Sequence, residues 1–310
     1  MAGASRDAVS GALLGALAGD CIGAPYEGSR PVGRDAAVRR VGRAVARRVL
    51  RYTDDTELLL ALTDHLVDDD DRVAGERLVC RMRERFDPRR GYGAGMRRVV
   101  ELWRAGCAPD AAVTAVFPDG SYGNGAAMRV APVGLRWAGR PDRVTDVAAR
   151  SARVTHVHPI GIDGAVVQAH AVARAALTGE FTFADVRNLP ASTAQLRDGL
   201  DAATRTNPGT APPAVADTLG TAPVAHRSVP AALWCAATSH DVPQAITLAV
   251  ALGGDTDTIA TMAAAIRGAA AGAAVVPAAW EAVLEGQAEV REAADRLSER
   301  IADDDMGGSP

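Results

Sequence analysis

The chain has 310 residues, 48% of them hydrophobic and 23% charged, with a formal net charge of −4. That balance excludes wholesale disorder, and it excludes a protein that binds nucleic acid by bulk electrostatics. No lysine occurs, all 34 basic residues being arginine, which removes Schiff-base lysine chemistry and P-loop nucleotide binding.

Aromatic residues make up only 4%. Alanine and glycine bring little area each, so the core has to come from many helices in close contact, and one compact all-α domain is expected. Cys21, Cys80, Cys107 and Cys235 show no CxxC spacing. They read as buried thiols of a cytoplasmic protein, with neither a disulfide framework nor a zinc site.

In chain order, Ala8–Ala18 reads as a small-residue helix. Its apolar run to Gly19 matches a signal-peptide core in length, but Asp7 opens it and Asp20 closes it, so it reads as part of the folded protein. Arg34–Arg51 is locally basic and reads as a solvated face or loop rather than a phosphate patch. Thr56–Val67 carries Leu58, Leu59, Leu62 and Leu66 at helical spacing. Helices are expected next at Arg72–Phe86, Met96–Ala105, Thr145–Val154 and Gly164–Thr178. Ala191–Ala225, with Asn207-Pro208-Gly209 and Pro212-Pro213, reads as a long surface connection. Ala231–Ser239, Pro243–Leu252 and Ile259–Val275 complete the helices. The last begins an apolar stretch to Trp280, which its alanine content and Arg267 mark as a core helix rather than a membrane span. Strands are at most minor, because period-two alternation is scarce. Residues 1–301 are read as one domain and residues 302–310 as an acidic tail that frays.

Two segments carry chemistry. Tyr52-Thr53-Asp54-Asp55-Thr56-Glu57 leads into the leucine-rich helix, and Gly253-Gly254-Asp255-Thr256-Asp257-Thr258 leads into the Ile259 helix. One or two hydroxyl or carboxylate side chains suffice to cap a helix. Here each helix start holds two aspartates and further hydroxyls, and the paired glycines free the backbone to turn side chains to one side. If the two acidic segments meet, four carboxylates share a small volume and need a cation. Oxygen donors alone favour magnesium or manganese over zinc. Gly120–Gly125 has three glycines in six residues, so backbone N–H groups can approach phosphate oxygens, and Tyr122 offers a ring for stacking. On that motif alone a packed loop is an equal reading. His65, His170, His226 and His240 read as surface or satisfied core residues, and His158 competes with His156 as a ligand contact. Asp20 reads as a brace behind a metal site.

At these residues the sequence resembles the ADP-ribosylglycohydrolase family. Gly15-Ala16-Leu17-Ala18-Gly19-Asp20-Cys21-Ile22-Gly23 with Pro25-Tyr26-Glu27 is similar to its opening helix and glutamate loop. Gly120-Ser121-Tyr122-Gly123-Asn124-Gly125-Ala126-Ala127-Met128-Arg129 is similar to its substrate loop. Thr155-His156 with Gly161, Gly164-Ala165 and Gln168-Ala169 resembles its middle helix pair. Val229–Trp234 and Leu252–Ala263 resemble its C-terminal core. These blocks run through most of the chain in the family order, and they share details with the serine-ADP-ribose hydrolase branch.

The resemblance implies a single orthogonal helical bundle around a central cleft with two magnesium ions, manganese being a possible substitute. It implies Thr53, Asp54, Asp55, Asp255, Asp257 and Thr258 as ligands, and Glu27 as the glutamate that contacts one metal and manages the attacking water. It implies Asp54, Asp119, Gly120, Ser121, Tyr122, Gly123, Asn124, Gly125 and His156 as contacts to ADP-ribose. The implied activity is hydrolysis at the ribose anomeric carbon of an ADP-ribosylated protein or small-molecule acceptor. A monomer is expected, without membrane or bulk nucleic-acid partners. Departures are Asp119, where the branch has a basic residue, and the surroundings of Pro223 and His226. Two other classes stay open on the residues: a catalytically silent ADP-ribose binder, and a magnesium-dependent nucleotide phosphohydrolase releasing AMP or phosphate.

Overall fold

Gly11, Gly15, Gly19 and Gly23 recur at four-residue spacing and so share one face of a helix. In a computed structural model, which describes residues 3–68 and 75–307, they line α1 (Arg6–Gly23). The chain continues through α2 (Arg34–Val45), α3 (Asp54–Asp68), α4 (Gly75–Arg85), α5 (Ala94–Arg104) and α6 (Pro109–Val116). Then come α7 (Gly125–Met128), α8 (Ala131–Arg136), α9 (Pro141–Arg153), α10 (Pro159–Thr178), α11 (Phe183–Arg187) and α12 (Ala194–Arg205). The last are α13 (Pro212–Leu219), α14 (Ala225–Thr238), α15 (Val242–Leu252), α16 (Thr256–Ala271), α17 (Ala278–Glu281) and α18 (Gln287–Gly307). No strand forms among the described residues. Three isolated bridges do, joining Ser29 to Gly254, Leu50 to Leu284 and Gly123 to Val224.

The glycine face of α1 lies directly on α16. A Cβ at Gly11 would sit 2.3 Å from the carbonyl oxygen of Gly268, and one at Gly15 or Gly19 would sit 2.4 Å from that of Ala264 or Ala260. At Gly23 it would lie 2.6 Å from the Cα of Asp257. The partner numbers fall as the α1 numbers rise, so the two helices are antiparallel and meet backbone to backbone. Any side chain there overpacks the contact, typically by about 1–3 kcal/mol. The C-terminal end of α1 is thereby set against the N-terminal end of α16, where Thr256 Oγ1 donates to the Gly23 carbonyl at 2.9 Å.

A second tie brings in α3. Asp20, on α1 and fully buried, accepts from the backbone N–H groups of Thr53 (2.9 Å) and Thr56 (3.1 Å) and from both hydroxyls (2.8 and 2.6 Å). Its carboxylate thus caps α3 from a different helix, satisfying donors that the first turn of a helix leaves free. The acid expected as a brace thus holds the start of α3.

Several expectations are corrected. Ala191–Ala225 is no plain connection: it contains α12 and α13, each fixed by a few buried residues, Leu196, Leu200 and Ala203 in one, Val215 and Leu219 in the other. The Ile259 helix ends at Gly272, whose φ of 82° breaks it before Val275. Cys21 and Cys235 are buried, but Cys80 and Cys107 are exposed; all four thiols are free. The tail expected to fray continues α18 to Gly307, where Arg136 Nε reaches Asp304 at 2.8 Å and the Gly3 N–H reaches Asp305 at 3.0 Å. The start of the helix expected from Arg72 lies outside the described residues. The segment Arg6–Tyr26 is long and apolar enough to cross a membrane, and its helix is the buried centre of this core.

Candidate metal and ligand cleft

The packing of α1, α3 and α16 brings the two acidic helix starts together. The Asp255 and Asp257 carboxylates lie with Glu27 so that their ligand oxygens are all within 4.8 Å of one another. Asp55 faces the same space from α3, and its Oδ2 accepts from Thr258 Oγ1 at 3.3 Å across the two helices. Glu27 stands on a short loop after α1. That loop is fastened by the Gly28 N–H to the Gly254 carbonyl (2.8 Å) and the Gly254 N–H to the Ser29 carbonyl (2.9 Å).

The acids crowd one another. Burial pushes the Asp55 and Asp257 carboxyls well above the usual range, and the neighbouring carboxylates add to it. Asp54 is pushed up to about 7 by burial and by Asp20, and Asp255 to about 6 by burial, against a bond from Asn124. Among the described residues no arginine pairs with any of them. Asp55 Oδ1 is buried with no hydrogen-bond partner at all. Two helix N-termini alone do not offset that much negative charge. A set of oxygen donors with an orphaned, buried carboxylate oxygen fits a hard divalent cation. Glu57 is not part of it, since it turns to Arg90 at 3.3 Å.

The opposite wall is built differently. Asn124 precedes α7, is buried, and donates to Asp255 and to Ser228 Oγ (3.0 Å). Arg129, also buried, donates to the Gly125 and Ser151 carbonyls and to Thr155 Oγ1 at 2.8 Å. Thr155 Oγ1 lies 2.7 Å from His156 Nδ1. Nδ1 is the acceptor within reach of that hydroxyl, so we assign the hydroxyl proton to Nδ1 and the ring hydrogen to Nε2. Burial and the adjacent guanidinium hold His156 down at about 3, so the ring is a neutral donor. Its Nε2 lies against Gly123 and Gly125, where added Cβ atoms would stand 3.4 and 3.5 Å away. Burial also lowers Arg129, to about 10, and no carboxylate compensates it.

Both walls line one cavity of about 300 Å³. Of the anticipated residues it gathers Glu27, Asp54, Asp55, Asp255, Asp257, Thr258, Ser121, Gly123, Asn124, Gly125 and His156. Thr53, Asp119, Gly120 and Tyr122 are not in the lining. Thr53 is occupied by Asp20, and Asp119 is exposed. Tyr122 is 49% exposed and meets His158 edge-on at 5.4 Å. His158 itself caps α10, accepting from the Ile160 N–H at 3.2 Å, so it does not compete with His156. Sequence reasoning missed Met96 and Phe117 as lining residues, and it held Arg129 only as the last residue of the block that resembles the substrate loop. Only Arg129 left a signal, as a charge closing an apolar run. A larger cavity, about 490 Å³, borders α2 and contains no carboxylate.

The fold and cleft define a class: an all-α protein whose cavity joins a cation-seeking acidic wall to a wall of polar donors. The sequence profile of the ADP-ribosylglycohydrolase family matches residues 1–305. A 204-residue region is 38% identical to ADP-ribosylhydrolase ARH3 of Bos taurus, covering 58% of this chain and 53% of that one. ADP-ribosyl-[dinitrogen reductase] glycohydrolase of Rhodospirillum rubrum is 29% identical over 169 residues, 50% of this chain and 53% of that one. A solved structure described as an ADP-ribosylglycohydrolase-related protein complex superposes with a TM-score of 0.70 at 25% identity, covering 96% of this chain and 98% of that one. The matched regions span about half the length of these curated relatives. The chain belongs to the ADP-ribosylglycohydrolase family.

Proposed function

We propose that this protein is a magnesium-dependent hydrolase that cleaves the bond between the ribose anomeric carbon and an acceptor, releasing ADP-ribose. The observation that carries the reading is the convergence of Glu27, Asp54, Asp55, Asp255 and Asp257 on one cavity that also holds the glycine loop and His156. Asp54, Asp55, Asp255, Asp257, Thr258 and Glu27 would hold two magnesium ions, with Thr53 behind them. Bound there, the ions would grip ribose hydroxyls and polarise the attacking water.

The chain's own residues then have distinct tasks. Water attacks the anomeric carbon as the bond to the acceptor atom breaks, through an oxocarbenium-like state. Glu27 takes the proton the water loses, and the departing acceptor atom takes one from a solvent water, so that water is the only reactant consumed. A positioned base of this kind contributes about 10²–10⁴ in rate. His156 Nε2–H and the backbone of Ser121–Gly125 offer donors to the anionic part of the ligand, and Phe117 and Met96 give it an apolar wall.

The test is a panel of serine-, arginine-, acetyl- and nucleic-acid-linked ADP-ribose, assayed with magnesium and with EDTA. Free ADP-ribose, formed only with the metal, is expected from at least one linkage. AMP or phosphate as product would replace the reading with a phosphohydrolase. Binding of ADP-ribose without turnover on any linkage would replace it with a silent binder.

A further inference from the structure

From Arg30 to Arg51 the chain carries eight arginines against a single acid, Asp35, in a protein with a net negative charge. None of the eight forms an ion pair among the described residues, whereas arginines elsewhere do, as in Arg85–Asp64, Arg90–Glu285 and Arg296–Asp68. Arg34 and Arg40 have hydrogen bonds, to the Pro208 carbonyl and to Ser29 Oγ. Arg39, Arg43, Arg47 and Arg48 are exposed and have none. Cations segregated this way on an acidic protein form a field that attracts an anionic partner.

The same helix borders the second cavity, of about 490 Å³. Its walls include Val38, Val41, Val45, Leu248 and Trp280, and Val38 is 59% exposed at the rim. Thr238 Oγ1 lies in this lining, buried and without a hydrogen-bond partner. That volume takes a bulky anchoring side chain with room to spare, and such a side chain dominates binding when it enters a desolvated pocket.

We infer that the α2 face and its cavity dock an acidic polypeptide segment, whose carboxylates meet the arginines and whose single large apolar side chain enters the cavity. The walls favour this occupant. Trp280 is the one aromatic ring among their lining residues, and a single-stranded nucleic acid needs a row of aromatic rings to stack its bases. A lipid surface needs an unburied apolar stripe, but Ala37, Val41 and Ala44 of α2 are already packed in the protein. The face adjoins the Glu27 loop, because Tyr26 donates its hydroxyl proton to the Arg40 carbonyl and the Arg40 guanidinium reaches Ser29 at 3.0 Å. The inference stands on charge and cavity alone and does not depend on the proposed hydrolase activity.

The test is fluorescence anisotropy of a short labelled peptide of glutamates around one leucine, with the full chain. Saturable binding that weakens as salt rises is expected. It should fall at least about tenfold with Arg39→Glu plus Arg43→Glu, and also with Val38→Asp, while Arg6→Glu plus Arg98→Glu on other faces leaves it unchanged. All these positions are exposed, and unchanged thermal unfolding checks that each variant folds. Equal binding after the peptide's leucine becomes alanine would overturn the anchor and with it the inference. So would tighter binding of oligothymidylate or of phosphatidylserine vesicles through the same arginines. A concentration-dependent dimer in sedimentation that the peptide cannot compete away would overturn it too, assigning the face to a second copy.

Discussion

The two walls of the cleft treat charge in opposite ways. On the α3–α16 wall, carboxylates are gathered with no arginine paired to them among the described residues, and one buried oxygen has no partner there. On the α7–α10 wall, Arg129, Thr155 and His156 close a chain of hydrogen bonds that ends in one neutral N–H donor. The first wall is incomplete by itself; the second is finished before any ligand arrives. Such a cavity is polarised, with carboxylates at one end and N–H donors at the other.

The largest break in that contrast comes from the acidic wall. Asp55→Ala or Asp255→Ala leaves the remaining acids repelling each other, and turnover should fall at least about 10³-fold. The rise in Tm with magnesium should shrink in both. Equal magnesium stabilisation in parent and variants would show that the starts of α3 and α16 do not share an ion. Glu27→Gln comes next, because glutamine keeps the shape but cannot take a proton. Turnover should drop by about 10²–10⁴ while ADP-ribose affinity stays within about tenfold. Near-parental single-turnover rates would remove Glu27 from the mechanism.

The finished wall should answer more mildly. His156→Phe deletes one donor and should weaken ADP-ribose by about tenfold in calorimetry, with magnesium stabilisation intact. A parallel loss of the magnesium response would mean that the walls are not separable. The smallest effect is on stability. Burial pushes Asp54 up to about 7 and Asp255 up to about 6 in the metal-free fold, against about 3.9 in an unfolded chain. Between those values the folded state holds more protons, so these acids favour the fold as pH falls and oppose it as pH rises. Magnesium competes with those protons, so the gain in Tm from magnesium over EDTA should grow from about pH 5.5 to about pH 7.5. A gain that is flat with pH would show that the acids are already ionised without the ion.

The acidic wall is legible in the sequence and the other wall only partly so. Thr53-Asp54-Asp55 and Asp255-Thr256-Asp257 exceed what capping needs, and the excess is local, visible within six residues. Ser121–Gly125 is visible as a glycine cluster, but its neighbours in space are not. Phe117 and Met96 reach the cavity through the packing of α5 and α6, and no local pattern distinguishes them from core residues. Tyr122 reads as a stacking platform, yet its ring turns out to His158 because the Ala225 N–H bonds its carbonyl at 2.9 Å and fixes the loop. Ala191–Ala225 hides two helices because proline and threonine dilute the periodic signal, and α12 shows only Leu196, Leu200 and Ala203 on its buried face.

The glycine seam between α1 and α16 has a consequence for redesign. Where two backbones touch with no side chains between them, core substitutions cannot widen or narrow the gap by trading volume. The distance between the Asp20-held end of α3 and the start of α16 is therefore a fixed gauge, set by peptide geometry. On the metal-dependent reading proposed above, tuning this cleft to a larger ion, such as calcium, has to come from the reach of the ligands themselves. Exchanging an aspartate for a glutamate moves a carboxylate by one methylene, whereas repacking the seam would pull apart the helices that carry the site.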